Sequence, residues 1–261
     1  MLFWMINKLK NNYCILFITL LFLWIIPLKH SLAENIYIGV ASNFLKPIKL
    51  LKENFESKNN EKIFISSGSS GSLYAQIING APLDIFLSAD QDLPKKLEKT
   101  PKAINGSRFT YAIGKLVAYS TKKSLFSQNF PQILNSNNIR YIGIGNPEYV
   151  PYGRAAQEVL KSLNIFKKIS SKLVLTKSVN QVFLMSYFGN LDIGFVSKAD
   201  FISKNKRGKI WDIPNGLYSS IKQDAILLKN GQGKDSAIQF LKFISSKKTK
   251  EDLKKFGYFF D

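Results

Sequence analysis

The chain has 261 residues, 45% of them hydrophobic and 21% charged, with 37 Lys and Arg against 18 Asp and Glu and a formal charge of +19. Its one cysteine, Cys14, and its one histidine, His30, both fall in an amino-terminal stretch that reads as a leader to be removed. The processed chain then has neither residue, which excludes a Ser-His-Asp triad, a cysteine nucleophile, a disulfide and a metal site built on Cys or His.

Residues 1–33 are expected to be a secretory signal peptide. Lys8 and Lys10 form a basic start, an apolar run extends from Ile15 to Leu28, and the small residues Ser31 and Ala33 precede a cut near Ala33. The run falls short of the ~20 residues that span a bilayer. Cys14 precedes it, so it is not the lipid-bearing cysteine that follows such a run in lipoproteins. The mature protein, residues 34–261, is expected to be soluble and exported. Without Lys8, Lys10 and Lys29, 34 basic residues face 18 acidic ones, a balance of +16. The arginines are only Arg108, Arg140, Arg154 and Arg207, and the lysines are scattered among Asn and Ile rather than interleaved with aromatics. That pattern describes a solvated surface, not a nucleic-acid stripe.

The mature chain opens with IYIGVASNF, a β-branched strand, followed by FLKPIKLLKENFESK, where Phe44, Ile48, Leu51 and Phe55 recur at helical spacing. IFISSG reads as the next strand. SLYAQIINGAP is then a helix with Leu73, Tyr74, Ile77 and Ile78 on one face and Gly80 as its stop. LDIFLSAD is a strand, YAIGKLVAYS one longer strand, RYIGIGNPE a strand leading to a turn, and GRAAQEVLKSLN a helix carrying Ala155, Ala156, Val159, Leu160 and Leu163. KLVLT precedes the helix VNQVFLMSYFGN, LDIGFVS is again a strand, and DAILL precedes a helical tail. Strand and helix alternate throughout, which predicts an α/β fold with mostly parallel sheets. With no linker in the sequence, any second lobe is inserted into the first, crossing near Tyr111–Val117 and Ser220–Leu227.

In open α/β sheets, ligands sit beyond the carboxyl ends of strands, where helices begin. Four such turns carry small polar or Gly/Pro residues: Ser42 with Asn43, Ser66 to Ser72, Val150 to Gly153, and Ser178 to Asn180. A helix start has outward N–H groups and about half a positive charge, so it attracts anions. The stretch SGSSGSL has no Gly-Lys-Ser/Thr ending for a phosphate loop, is one residue short of a nucleophile elbow, and has no histidine to serve as base. A flexible linker and an anion-gripping helix cap remain open for it. Taken singly, Ser42, Asn43 and Ser178 are ordinary caps and Tyr152 an ordinary turn aromatic; their joint occurrence is the signal. Asp84, Asp90 and Asp92 are carboxylates that a metal or a hydrolytic reaction could use, but Asp84, between Pro82 and an apolar strand, reads as structural.

The blocks GSLYAQIINGAPLDIFLSADQDLPKKLEK, YAIGKLVAYS, GNPEYVPYGRAAQEVLKSL, GNLDIGFVSKAD and the closing FGYFF, in this order and spacing, resemble the periplasmic molybdate-binding proteins of ABC transporters over essentially all of the mature chain. The resemblance implies a type II periplasmic binding-protein fold, with two α/β lobes joined by crossover strands at a hinge. Lobe 1 is then 34–114 and 224–261, and lobe 2 is 115–223. It implies an oxyanion site on Ser42, Asn43, Ser70, Tyr152 and Val179, the last through its backbone N–H. The commoner branch of that family has a small residue after Val-Pro and a tyrosine in the strand that reads GFVS here; this chain has Tyr152 and Ser197 instead, which favours Tyr152 as the ligand and leaves Ser197 in doubt. It further implies molybdate or tungstate as ligand with no separate cofactor and no direct metal-ion ligands, a monomer, no enzymatic activity, and a periplasmic handover to an inner-membrane ABC permease with its ATPase. Both oxyanions are deprotonated dianions that only accept hydrogen bonds, so a site of neutral donors suits them. The alternatives are a sulfate, thiosulfate or phosphate carrier of the same fold, a secreted hydrolase using Asp84 or Asp90, and a basic surface-adhesion module.

Overall fold

The structure, a computed structural model, describes residues 34–204, 207–214 and 216–260. The expected signal peptide at 1–33, with Cys14 and His30, lies outside the described residues. Strand β1 (Ile36–Ala41) is an interior strand of the first sheet, and Ile36, Ile38 and Val40 are fully buried. An apolar run of this kind suits a strand covered on both faces. It pairs in parallel with β2 (Ile63–Gly68) and with β3 (Ile85–Leu87).

A 3-10 turn, Ser42–Phe44, leads from β1 into helix α1 (Leu45–Glu56). Phe44, Ile48, Leu51 and Phe55 are all buried, as their spacing predicts. Phe44 meets Tyr111 and Tyr258 edge-on at 4.8 and 5.3 Å, and Phe55 meets Phe240 at 5.1 Å, which adds quadrupole attraction to area burial. Helix α2 (Ser70–Ile78) buries Leu73 and Ile77, one turn apart, while Tyr74 is half-buried and Ile78 is 38% exposed. Its buried stripe is therefore narrower than the four-residue face expected. Gly80, at φ +91°, ends the helix, and Ala81 N–H returns to Gln76 O at 2.9 Å.

After β3 comes α3 (Asp92–Glu98), seven residues that helical spacing does not single out. The segment YAIGKLVAYS, expected as one strand, is two: β4 (Phe109–Gly114) and β5 (Leu116–Ser120), which lie in different sheets. The change happens at Gly114, where a Cβ would stand 2.0 Å from the Tyr152 hydroxyl and 2.5 Å from Gln223 Nε2. Only a residue without a side chain fits there.

The second half of the chain supplies β6 (Ile142–Gly145), α4 (Pro151–Ser162), β7 (Leu173–Thr176), α5 (Val179–Tyr187), β8 (Ile193–Ser197), α6 (Lys198–Ser203) and β9 (Lys209–Asp212). Strand β10 (Ile221–Leu227) returns to the first sheet, followed by α7 (Asp235–Ser245) and α8 (Lys247–Lys254). The sheet orders are β2-β1-β3-β10-β4 and β7-β6-β8-β5-β9. Both sheets are mixed rather than mostly parallel. The three strands linked by helices in each sheet run parallel, whereas β10 with β3 and β4, and β5 with β8 and β9, are antiparallel. The antiparallel pairs are made by the strands that enter each sheet from the other one, β5 after β4 and β10 after β9. The carboxyl tail closes on the first sheet, where Ile113 and Phe259 exchange two backbone hydrogen bonds at 2.9 Å.

Candidate functional site

Four strand ends feed helix starts whose first N–H groups have no intrahelical acceptor. At the first, Ser42 and Asn43 open the 3-10 turn and both are buried. At the second, Ser69 is the cap, its Oγ accepting from Ser72 N at 3.2 Å, and Ser70 is the first helical residue. Fully buried Ser70 Oγ accepts from Ala89 N at 2.9 Å, which leaves its hydroxyl proton to donate. Cap and candidate donor in SGSSGSL are thus different serines. At the third, Tyr152 is the second residue of α4, not a turn residue, and is 1% exposed. At the fourth, Ser178 Oγ caps Gln181 N at 3.2 Å and Val179 is the first residue of α5.

These starts converge. Ala41, Ala89, Val150, Tyr152 and Val179 share one apolar cluster, so the neighbour of Ser42 and the hydrogen-bond partner of Ser70 pack with Tyr152 and Val179. Gly71 N–H donates to Tyr149 O at 3.0 Å, joining the start of α2 to the turn before α4. A Cβ on Gly71 would be 2.4 Å from Tyr149 Cβ, and one on Gly153 would be 2.0 Å from Gly145 O. Glycine is what permits both approaches.

Inside the convergence sits Gln223, fully buried on β10. Its Oε1 accepts from Asn43 Nδ2 at 2.9 Å and from the Tyr111 hydroxyl at 3.0 Å, and its Nε2 donates to the Tyr152 hydroxyl at 3.3 Å. Asn43 Nδ2 gives its other proton to the Tyr258 hydroxyl at 3.1 Å, and that hydroxyl donates to Asn43 O at 2.9 Å. Both side-chain amide protons of Asn43 are thus engaged. Its backbone N–H, at the head of the turn, is the donor that remains for a ligand. Its Oδ1 is buried and has no hydrogen-bond partner among the described residues.

Burial raises the Tyr111, Tyr152 and Tyr258 phenols above their ordinary values, so all three stay protonated at neutral pH. Asp200, 6% exposed at the start of α6, accepts from Ser197 Oγ at 2.6 Å and from Asn180 Nδ2 at 3.1 Å. Burial pushes its carboxyl up to about 7 against those two hydrogen bonds. Ser197 spends its proton on Asp200 and accepts from Asp200 N at 3.1 Å; it acts as the cap of α6. Gln223, Tyr258 and Asp200 were not found from the sequence. For Gln223 the available signal was a glutamine beside an aspartate inside the apolar strand IKQDAIL, which a period-two reading passes over.

The nearby cations are paired. Arg154 forms an ion pair with Asp90, which also accepts from Ser88 Oγ and Leu93 N. Lys115 and Lys198 both reach Asp212, at 3.0 and 3.4 Å. Asp84 accepts from Tyr37 N at 2.8 Å and Lys234 Nζ at 3.0 Å, binding α7 to β1, and Asp92 lies in the first turn of α3. Among the described residues no group of three His, Cys, Asp or Glu is placed to hold a metal ion. The arrangement presents hydroxyls and helix-start N–H groups to an acceptor-only ligand.

Residues 36–259 match the model for bacterial extracellular solute-binding proteins. The chain is 37% identical to the molybdate-binding protein ModA of Azotobacter vinelandii over 228 residues, covering 87% of this chain and 90% of that one. It is 36% identical to ModA of Rhodobacter capsulatus over 226 residues, covering 87% and 88%. The solved periplasmic molybdate-binding protein of Azotobacter vinelandii superposes with a TM-score of 0.83 at 38% identity, over 87% of this chain and 99% of that one. The substrate-binding domain of a putative molybdenum ABC transporter from Clostridium difficile gives 0.66 at 30% identity, covering 86% of this chain and 97% of that one. These relatives are binding proteins, and their two-sheet architecture is the one described above. The chain belongs to the bacterial extracellular solute-binding protein family.

Proposed function

We propose that this protein captures molybdate or tungstate between two lobes and delivers it to an ABC permease with its ATPase. The observation that carries the reading is the convergence of four helix starts whose donors are neutral, with the neighbouring Arg154, Lys115 and Lys198 held by Asp90 and Asp212. The names of the relatives supply the ligand. Lobe 1 is 34–114 with 224–261 and lobe 2 is 115–223, the anion lying against Ser42, Asn43, Ser70, Tyr152 and Val179. Export through the leader, a periplasmic location and a monomeric state belong to the same reading.

The physical chemistry supports it. A dianion offers no proton, so each contact needs a donor, and Tyr152, held protonated by burial, is one at any working pH. Hydrogen bonds to a charged group contribute about 1.5–3 kcal/mol each, so six or so offset the ~4–15 kcal/mol cost of association. No ion pair with the ligand has to break on release. Calorimetric titration of residues 34–261 with molybdate, tungstate, sulfate and phosphate tests the reading. Tight molybdate or tungstate binding is expected; tight sulfate or phosphate binding with molybdate silent overturns it.

A further inference from the structure

We propose that Gln223 is the positioning residue of the oxyanion site, setting the direction in which Tyr152 donates its proton and tying it to Asn43. The proposal rests on the oxyanion reading above. Gln223 lies on the strand that returns to the first sheet, and its side chain is fully buried. Asn43 Nδ2 donates to Oε1 at 2.9 Å, and the Tyr111 hydroxyl, whose one proton is shared between Oε1 at 3.0 Å and Ser88 O at 3.1 Å, stands on the same side. The Asn43 donation orients the amide: with the oxygen toward Asn43, the NH2 group faces Tyr152. Nε2 then donates to the Tyr152 oxygen at 3.3 Å.

A phenol oxygen that accepts one hydrogen bond keeps its single proton for another acceptor. With its acceptor side occupied by Gln223, Tyr152 directs its proton away from the amide, toward the space where the helix starts meet. Were the amide reversed, its oxygen would take that proton and the anion would face a lone pair. Asn43 is held by the same amide, so the head of the first-sheet turn and the second-sheet tyrosine are set by one residue. Gly114 makes room for this, since a side chain there would collide with both the Tyr152 hydroxyl and Gln223 Nε2.

The test is a double-mutant cycle read by calorimetry with molybdate and with tungstate. Gln223→Met removes both polar atoms at similar size, Tyr152→Phe removes the proton, and the double variant combines them; thermal unfolding of each ligand-free protein reports folding. Gln223→Met is expected to weaken binding at least tenfold in the parent and less than about threefold in the Tyr152→Phe background, because the phenol through which it acts is gone. Gln223→Glu serves if the Met variant does not fold. The introduced carboxylate accepts the Tyr152 proton when ionised and can donate to the phenol when neutral, so the affinity of this variant relative to the parent should recover as pH falls from about 8 to 5. Equal losses in both backgrounds, no loss at all, or a Gln223→Glu variant whose ratio to the parent ignores pH overturns the positioning role. If the parent protein itself binds neither anion, the oxyanion reading fails instead.

Discussion

Replacing Asp200 with asparagine should stabilise the protein at neutral pH and leave it nearly unchanged in acid. Among the described residues the carboxyl has no cation as hydrogen-bond partner, only Ser197 and Asn180, and burial holds it at about 7 against an ordinary value of 3.8. The acid form is therefore the one that folding favours. Below the ordinary value both states are protonated and no penalty arises; the penalty grows between the two values and saturates above about 7. At ~1.4 kcal/mol per unit, the full penalty is on the order of 4 kcal/mol, of which roughly 2–3 appears between pH 5 and pH 8. The carboxylates held below their ordinary values, Glu98, Asp192 and Asp212, act in the opposite sense, but their contribution is complete above their unfolded values near 4. With no histidine between residues 34 and 261, Asp200 should dominate the slope from pH 5 to 8. Asparagine is nearly isosteric: its oxygen can accept from Asn180, and the Ser197 hydroxyl can turn to accept from its NH2. Urea unfolding of parent and Asp200→Asn at a series of pH values is the assay. The parent should lose stability as pH rises from about 4 to about 7 and then level off, while the variant holds level. Parallel curves, or a variant less stable than the parent at pH 8, would refute the reasoning. Because Asp200 also acts on the Tyr152 phenol, a dianion bound there should favour the protonated carboxyl, so parent affinity should fall above pH 7 and that of the variant should not.

Ser70→Ala and Tyr152→Phe each remove one donor to a charged ligand, worth about 1.5–3 kcal/mol, and should weaken anion binding about 10- to 150-fold; unchanged calorimetric affinity in both would place the site elsewhere. Gly71→Ala sets a Cβ 2.4 Å from Tyr149 Cβ and 2.9 Å from its Cα. The first-sheet and second-sheet elements must then part, so ligand affinity should drop at least tenfold while the melting temperature of the ligand-free protein stays within a few degrees, an outcome that calorimetry and circular dichroism check together. Gly153→Ala, by contrast, drives a Cβ to 2.0 Å from the Gly145 backbone oxygen, with no flexible side chain to yield. It should lower stability by about 1–3 kcal/mol or more whether or not ligand is present, and a wild-type melting curve would show that α4 can shift on β6 at little cost.

The sequence carried those features that depend on local chemistry. Phe44, Ile48, Leu51 and Phe55 announce α1 because a helix needs one buried stripe, and Ser178 announces the start of α5 because an exposed N–H needs a cap. Features decided by a distant partner were not visible. YAIGKLVAYS has the alternation of one strand, and nothing local says that its two halves pair with β10 on one side and with β8 and β9 on the other. The same holds at the site. Ser42, Ser70, Tyr152 and Val179 stand at helix starts, which motif and spacing mark. Gln223 stands in mid-strand, and its meaning comes from Asn43, 180 positions away, and from Tyr152, 71 away.

That division explains why the helix starts alone do not make a site. An unsatisfied N–H attracts any anion, and each start has several; what distinguishes one ligand is where the hydroxyl protons point. Ser70 has its oxygen committed to Ala89 N, and Tyr152 has its oxygen committed to Gln223 Nε2. In both cases a buried donor occupies one acceptor position of the hydroxyl and leaves its proton free to donate. A hydroxyl constrained in this way has its proton free to donate, which on the proposed reading suits an anion whose oxygens only accept. On the proposed reading the fit to a deprotonated dianion comes from groups behind the site, Ala89 N and the Gln223 amide, while Arg154, Lys115 and Lys198 are held in ion pairs. Bulk positive charge draws anions toward the protein; the fixed polarity of two hydroxyls selects among those that arrive.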